Sequence, residues 1–130
     1  PGTDIFETKK KISTILKYTN DHPEYGLWCA YTKDTNQFIG WVILLHIEHN
    51  QSYPIEVGYR LHQKNWGAGF ATEMSVAMVQ YAKDIGLKTI CSITTEENIA
   101  YRKVLEKAGL TYREDRLYYE TPVKYYEIEL

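Results

Sequence analysis

The sequence predicts one α/β domain built on a mixed, strongly twisted sheet, antiparallel at both ends and parallel at its centre, with helices on its faces. Three observations carry that expectation. Residues 55–61 alternate strictly between apolar and polar types, the period of a strand. The double-glycine turn Gly67-Ala68-Gly69 then opens a stretch of helical periodicity that runs to about residue 85. A short apolar run over residues 89–94 follows. Strand, helix and strand in that order favour a parallel pair joined by a crossover helix.

Each element has its own signal. Residues 4–18 read as a helix, with Ile5, Ile12, Ile15 and Leu16 at helical spacing and Asp4 with Glu7 placed as a capping box. Residues 20–23 break it. Residues 25–31 and 37–47 read as two strands joined by the polar turn Lys33-Asp34-Thr35-Asn36, which makes a hairpin. In the third strand Ile55, Val57, Tyr59 and Leu61 form an apolar face, and Glu56, Gly58 and Arg60 a polar one. The helix after the glycine turn places Phe70, Met74, Ala77, Met78 and Tyr81 on one face, and Gly86 ends it. Residues 89–94 read as a short buried strand, and residues 98–108 as a second helix closed by Gly109. Residues 111–120 and 123–129 read as a closing hairpin rich in tyrosine.

Composition narrows the function classes. The formal net charge of −2 leaves no basic stripe for nucleic acid or an anionic membrane. Hydrophobic residues at 44% and charged residues at 25% fit an ordinary globular domain. The longest uncharged apolar-rich run, residues 38–45, falls far short of the roughly 20 residues of a spanning helix. No signal-peptide pattern appears, so the cytoplasm is the expected compartment. Cys29 and Cys91 lie in apolar strand segments and read as buried thiols.

The chemistry centres on residues 66–71. Glycines permit a tight turn, and the first N–H groups of a helix have no partners and carry positive partial charge. Together they make an anion cradle suited to phosphate. A plain structural loop is one alternative, since lone glycine motifs are weak. A dinucleotide fingerprint is another, but Thr72 stands where the third glycine belongs. Five residues, His62 to Trp66, also separate the strand from the first glycine. A pyrophosphate cradle of a different fold fits best.

Two segments carry a resemblance. Glu56-Val57-Gly58-Tyr59-Arg60-Leu61 with Trp66-Gly67-Ala68-Gly69-Phe70-Ala71-Thr72-Glu73 resembles the signature of the GCN5-related N-acetyltransferase superfamily. Its branch of ribosomal-protein N-terminal acetyltransferases matches best. The stretch from Asn98 to Leu110 is similar to that family's second cofactor motif. The resemblance implies acetyl-coenzyme A as co-substrate and an amine as acceptor, either a protein N-terminus or a small molecule. It implies that the amides of Trp66, Gly67, Ala68, Gly69, Phe70 and Ala71 bind the pyrophosphate, with Lys64 nearby. It also implies that the pantetheine arm lies between the strands ending at Leu61 and Thr94, and that Asn98 bonds to that arm. The same resemblance makes Glu56 the base that takes a proton from the acceptor amine, since only a neutral amine attacks a thioester. His62 is the alternative base. A solvent-facing glutamate paired with a lysine is the alternative role for Glu56.

Departures from the family pattern fall on the acid. Many members carry a tyrosine seven residues after the motif asparagine, where this chain has Leu105, which cannot donate a proton. Tyr101, three residues after Asn98 on the same helix face, is the candidate donor to the leaving thiolate. Lys64 stands in place of the usual glutamine or arginine, and Leu110 in place of phenylalanine. The family's usual N-terminal strand and helix are not visible before Asp4, so the domain reads as a trimmed fragment or one with a reduced N-terminal part. A missing strand would leave a sheet edge that invites pairing with another chain. Because of these departures, a non-catalytic acyl-coenzyme A sensing or protein-interaction module remains the alternative function, and a nicotinamide-nucleotide-binding protein a distant third. His46 and His49, read as lying on opposite faces of a strand, do not suggest a metal site. Residues 113–116 read as a solvated turn or edge.

Overall fold

The computed structural model of the chain describes residues 17–130. The helix expected over residues 4–18 lies almost wholly outside the described residues; of the described part, residues 17–21 are helical. Six strands form one sheet: β1 (Gly26–Tyr31), β2 (Phe38–His46), β3 (Ile55–Leu61), β4 (Thr89–Thr94), β5 (Thr111–Tyr118) and β6 (Thr121–Glu129). Their spatial order is β1-β2-β3-β4-β6-β5. Neighbouring strands are antiparallel except β3 and β4, which run parallel around the crossover helix α1 (Phe70–Asp84). The second helix, α2 (Ile99–Lys107), connects β4 to the closing hairpin. The predicted mixed sheet is therefore present, with its single parallel pair at the centre.

Strand alternation sorts the interior into two cores. On the helical face, Val42, Leu44, Val57, Ile90 and Tyr126 pack with Met78 and Ala82 of α1 and Leu105 of α2. On the other face, Ile47, Cys91, Tyr118, Val123 and Tyr125 form a smaller cluster. Glu56 lies one residue before Val57 and points to this second side. The expected polar face of β3 is consequently covered at Glu56 and Gly58, which are buried, and open to solvent only at Arg60. A central strand between two cores is covered whatever its alternation.

Four local expectations change. The buried stripe of α1 is Ser75, Met78 and Ala82, with the half-buried Met74 and Tyr81 packed beside it, and Ala77 is exposed. The i, i+3, i+7 spacing from Ser75 fits the helix better than one centred on Ala77. Cys29 is exposed, β1 being an edge strand among the described residues, while Cys91 is fully buried. The closing turn is Tyr119-Glu120 and not residues 121–122. Pro122 pairs with Leu117 inside β6, near the strand start where a missing N–H is tolerated. His46 and His49 are not two residues of one strand either. The chain leaves β2 into a 3₁₀ turn, Ile47–His49, and both rings come to rest against Tyr18, with centroids 5.9 and 5.4 Å away.

Candidate active site

The glycine turn is built by a chain of local bonds. β3 ends at Leu61, and residues 63–65 form one 3₁₀ turn. The Trp66 N–H is donated to the Gln63 carbonyl at 3.1 Å, so this amide of the expected cradle already has a partner. The Trp66 indole N–H bonds back to the Leu61 carbonyl at 2.9 Å, which fixes where the turn leaves the strand. Gly67 and Gly69 then take φ of 83° and 84°, left-handed values that side chains rarely adopt. The first helical bond of α1 runs from Glu73 N–H to the Gly69 carbonyl. The N–H groups of Gly67, Ala68, Gly69, Phe70 and Ala71 donate to no described residue. Five consecutive free donors at a helix N-terminus are a ready anion site.

These residues form one wall of a cleft of about 860 Å³. Of the residues singled out in the sequence, Leu61, Trp66, Gly67, Gly69, Phe70 and Ala71 line it, and Asn98 and Tyr101 line it from α2. Lys64 and Ala68 are exposed and lie outside its lining. His62 lines it too, its ring set edge-on to Phe38 at 5.4 Å. Sequence reasoning missed Gly40 and Arg60. Gly40 sits where the cleft meets β2, and a Cβ there would lie 2.0 Å from the Arg60 carbonyl oxygen. Only cross-strand register reveals that contact. Arg60 was read simply as part of a polar face, yet its guanidinium stands 6.0 Å from the Trp41 ring centroid on the cleft wall.

Deeper in, β3 and β4 part. Their parallel pairing is confined to Glu56 opposite Cys91. The Ser92 hydroxyl pins the vertex by donating to the Val57 carbonyl at 2.7 Å. Beyond the vertex, Tyr101 reaches from α2 into the gap. Its ring stacks on Tyr59 with centroids 4.5 Å apart and planes 3° from parallel. Its hydroxyl oxygen accepts the Tyr59 N–H at 3.2 Å. Asn98 caps α2 by accepting the Tyr101 N–H at 3.3 Å, so the asparagine and the tyrosine are held as a unit. Burial is the main cause that raises the Tyr101 phenol above its ordinary value; the Glu56 charge adds to it, and bonds to Ser92 and Tyr59 oppose it. The hydroxyl therefore stays protonated at neutral pH. Leu105, in the position where a donor was sought, is 1% exposed and belongs to the main core.

Glu56 lies across the vertex from the cleft and does not line it. It is 8% exposed, and no described residue offers it a hydrogen bond or an ion pair. The alternative of a surface glutamate paired with a lysine does not hold. Burial pushes its carboxyl up to about 7, so it changes charge near neutral pH. Among the described residues, no group of three or more His, Cys, Asp or Glu is placed to hold a metal ion. No described helix is long and apolar enough to cross a membrane.

With this geometry in place, comparison with known proteins is informative. A model of the acetyltransferase (GNAT) domain matches residues 2–111. An FsC-acetyl coenzyme A-N(2)-transacetylase of Aspergillus fumigatus is 33% identical over 116 residues, covering 83% of this chain and 48% of that protein. The chain thus spans about half the length of that relative. Among solved structures, an acetyltransferase from Agrobacterium tumefaciens superposes with a TM-score of 0.80 at 22% identity, over 97% of this chain and 72% of that one. The ribosomal-protein-S5-alanine acetyltransferase of Vibrio fischeri superposes with a TM-score of 0.77 at 18% identity, over 99% of this chain and 76% of that one. At these identities the two structures speak for the fold.

Proposed function

Because the chain belongs to the GNAT acetyltransferase family, we propose that it moves an acetyl group from acetyl-coenzyme A to a primary amine by direct transfer in a ternary complex. The observation that carries this reading is the run of five amides from Gly67 to Ala71 that donate to no described residue, beside a cleft that leads to parted strands with a carboxylate beyond them. The acceptor is a protein N-terminus or a small-molecule amine.

The residues present suit the co-substrate. The Gly67 to Ala71 amides and the positive end of α1 hold its pyrophosphate. Asn98 and the open edges of β3 and β4 face its pantetheine arm. When bound, acetyl-coenzyme A supplies the acetyl group as a thioester. Glu56, with its carboxyl poised near neutrality, takes a proton from the acceptor ammonium and leaves a nucleophilic amine. A base whose affinity for protons matches the working pH is both available and effective. Tyr101 holds a proton on the hydroxyl that reaches the strand gap, where it serves the departing thiolate. In the form described, that hydroxyl also occupies the Tyr59 N–H, a donor expected to polarise the acetyl oxygen. Productive binding on this reading shifts Tyr101 from the amide toward the sulfur.

The test is a thiol-release assay with acetyl-coenzyme A and a panel of amines: N-terminal peptides, amino acids, polyamines and amino sugars. Release that depends on an amine supports the proposal. Calorimetric binding of coenzyme A with no release on any amine would replace it with a non-catalytic sensor. Failure to bind coenzyme A would remove the cradle itself.

A further inference from the structure

On the face away from the cleft, two turns meet across 71 residues of sequence, and the half-exposed Tyr119 of one lies near enough to Glu56 to feel its charge. The first is the 3₁₀ turn Ile47–His49, where Glu48 and His49 have φ of 56° and 55°. The second closes the last hairpin, where Tyr119 and Glu120 have φ of 52° and 57°. Among the described residues these are four of the five non-glycine residues in the left-handed region; Asn36, in the first hairpin turn, is the other. Such conformations cost about 1–3 kcal/mol each and persist only where the surroundings hold them.

What holds them is a reciprocal pair of bonds. Glu48 N–H donates to the Tyr119 hydroxyl oxygen at 2.8 Å, and Tyr119 N–H donates to Glu48 Oε2 at 3.2 Å. Each partner directly follows a buried member of the second core: Glu48 follows Ile47, and Tyr119 follows Tyr118. Those two side chains pack in the cluster that contains Cys91, the sheet partner of Glu56. The Ile47 N–H bonds to the Pro54 carbonyl at 3.0 Å, tying the first turn to the chain two residues ahead of Glu56. The Tyr119 phenol is close enough to feel the Glu56 charge.

We propose that Glu48 and Tyr119 are positioning residues, whose mutual hydrogen bonds clasp the two turns over Glu56 and keep water from its carboxylate. The inference rests on the reading of Glu56 as the base and assigns what tunes it. The groups that face Glu56 are consistent with shielding and not with charge pairing. They are the Cys91 thiol from β4, the Tyr101 phenol from α2 and the Tyr119 phenol from the hairpin turn, while β2 offers Leu45. Glu48 and His49 belong to the covering turn, and no described cation pairs with Glu56.

The clasp is tested by following the Glu56 side-chain carboxyl by ¹³C NMR in protein labelled at glutamate, with the signal assigned by its loss in Glu56→Gln. The titration is run on the wild type, Tyr119→Phe, Glu48→Ala and Glu48→Gln, together with kcat and KM. Tyr119→Phe and Glu48→Ala should each lower the midpoint by about one pH unit as water reaches the carboxylate. The acid limb of kcat should move with it, and KM for acetyl-coenzyme A should stay unchanged. Glu48→Gln keeps an acceptor oxygen and should stay close to the wild type. An unchanged midpoint in Tyr119→Phe and Glu48→Ala overturns the clasp, as does a fall of the same size in Glu48→Gln. Should Glu48→Ala fail to fold, Tyr119→Phe, which removes one oxygen atom, carries the test. The midpoint needs no turnover, so a wild type inactive on every amine defeats the proposed function while the titration still judges the clasp.

Discussion

The two sides of the gap between β3 and β4 are made from different materials. On the cleft side the proposed working groups are main-chain amides, set by two left-handed glycines and the start of α1 and donating to no described residue over five successive positions. On the opposite side the proposed working group is one side-chain carboxylate, buried and without a partner among the described residues, near residues distant in sequence. On the proposed reading the first side holds a group that is the same in every turnover, and backbone donors suit an invariant phosphate. On the same reading the second changes its protonation in every turnover, and only a side chain does that. Precision is therefore achieved locally on one side and through long-range packing on the other.

The sharpest way to break this contrast is Glu56→Gln. It should lower kcat by about 10²–10⁴-fold, the range for a positioned base, and leave coenzyme A affinity unchanged by calorimetry. Loss of both together would make Glu56 structural. On the other side, Gly69→Val forces a β-branched residue to φ near 84°, although a Cβ there meets nothing within 4 Å. Strain and not collision should then weaken coenzyme A binding by about 10- to 100-fold and lower the melting temperature by several degrees, with the protein still folded at the assay temperature. A normal dissociation constant would show that the amides are not the cradle.

A pH experiment sharpens the comparison further. The Glu56 carboxyl is raised from 4.5 to about 7 by burial. Between those values the folded protein holds a proton that the unfolded chain has lost, so this group's stabilisation is complete below about pH 4.5 and is lost as pH rises through about 7. Glu56→Gln should thus be more stable than the wild type at pH 8, by up to about 3 kcal/mol, with the gap closing by pH 4 in denaturant melts. The same ionisation should give the rate an acid limb near pH 7. Greater wild-type stability at pH 8 would mean that a partner holds the carboxylate. The smallest effect expected is that of Asn98→Ala, about 1 kcal/mol of stability from the lost cap of α2, read by thermal melting.

How much of this was legible in the sequence follows the same division. Gly67 and Gly69, the strand before them and Asn98 are local signals, and each appears where spacing placed it. Strand alternation also located Glu56 on β3 opposite the apolar face. It could not show that Glu56 is buried there, because Ile47, Tyr118 and Tyr125 come from elsewhere in the chain to the cluster around Cys91, its sheet partner. Ala77 and Cys29 were misjudged for a related reason: the cover available to a helix stripe or an edge strand is set by its neighbours, not by its own residues. Pro122 looked like a turn, yet the left-handed pair Tyr119-Glu120, held by a residue 71 positions away, makes the turn instead. The Glu48–Tyr119 contact has no local signature at all.

One more consequence lies in Trp66. Its indole is anchored at one end to the Leu61 carbonyl, while 64% of the residue remains open to solvent where the cleft begins. The molecule thus carries an intrinsic fluorophore at its doorway, and a ligand settling there would dehydrate the ring and shift its emission without any label attached.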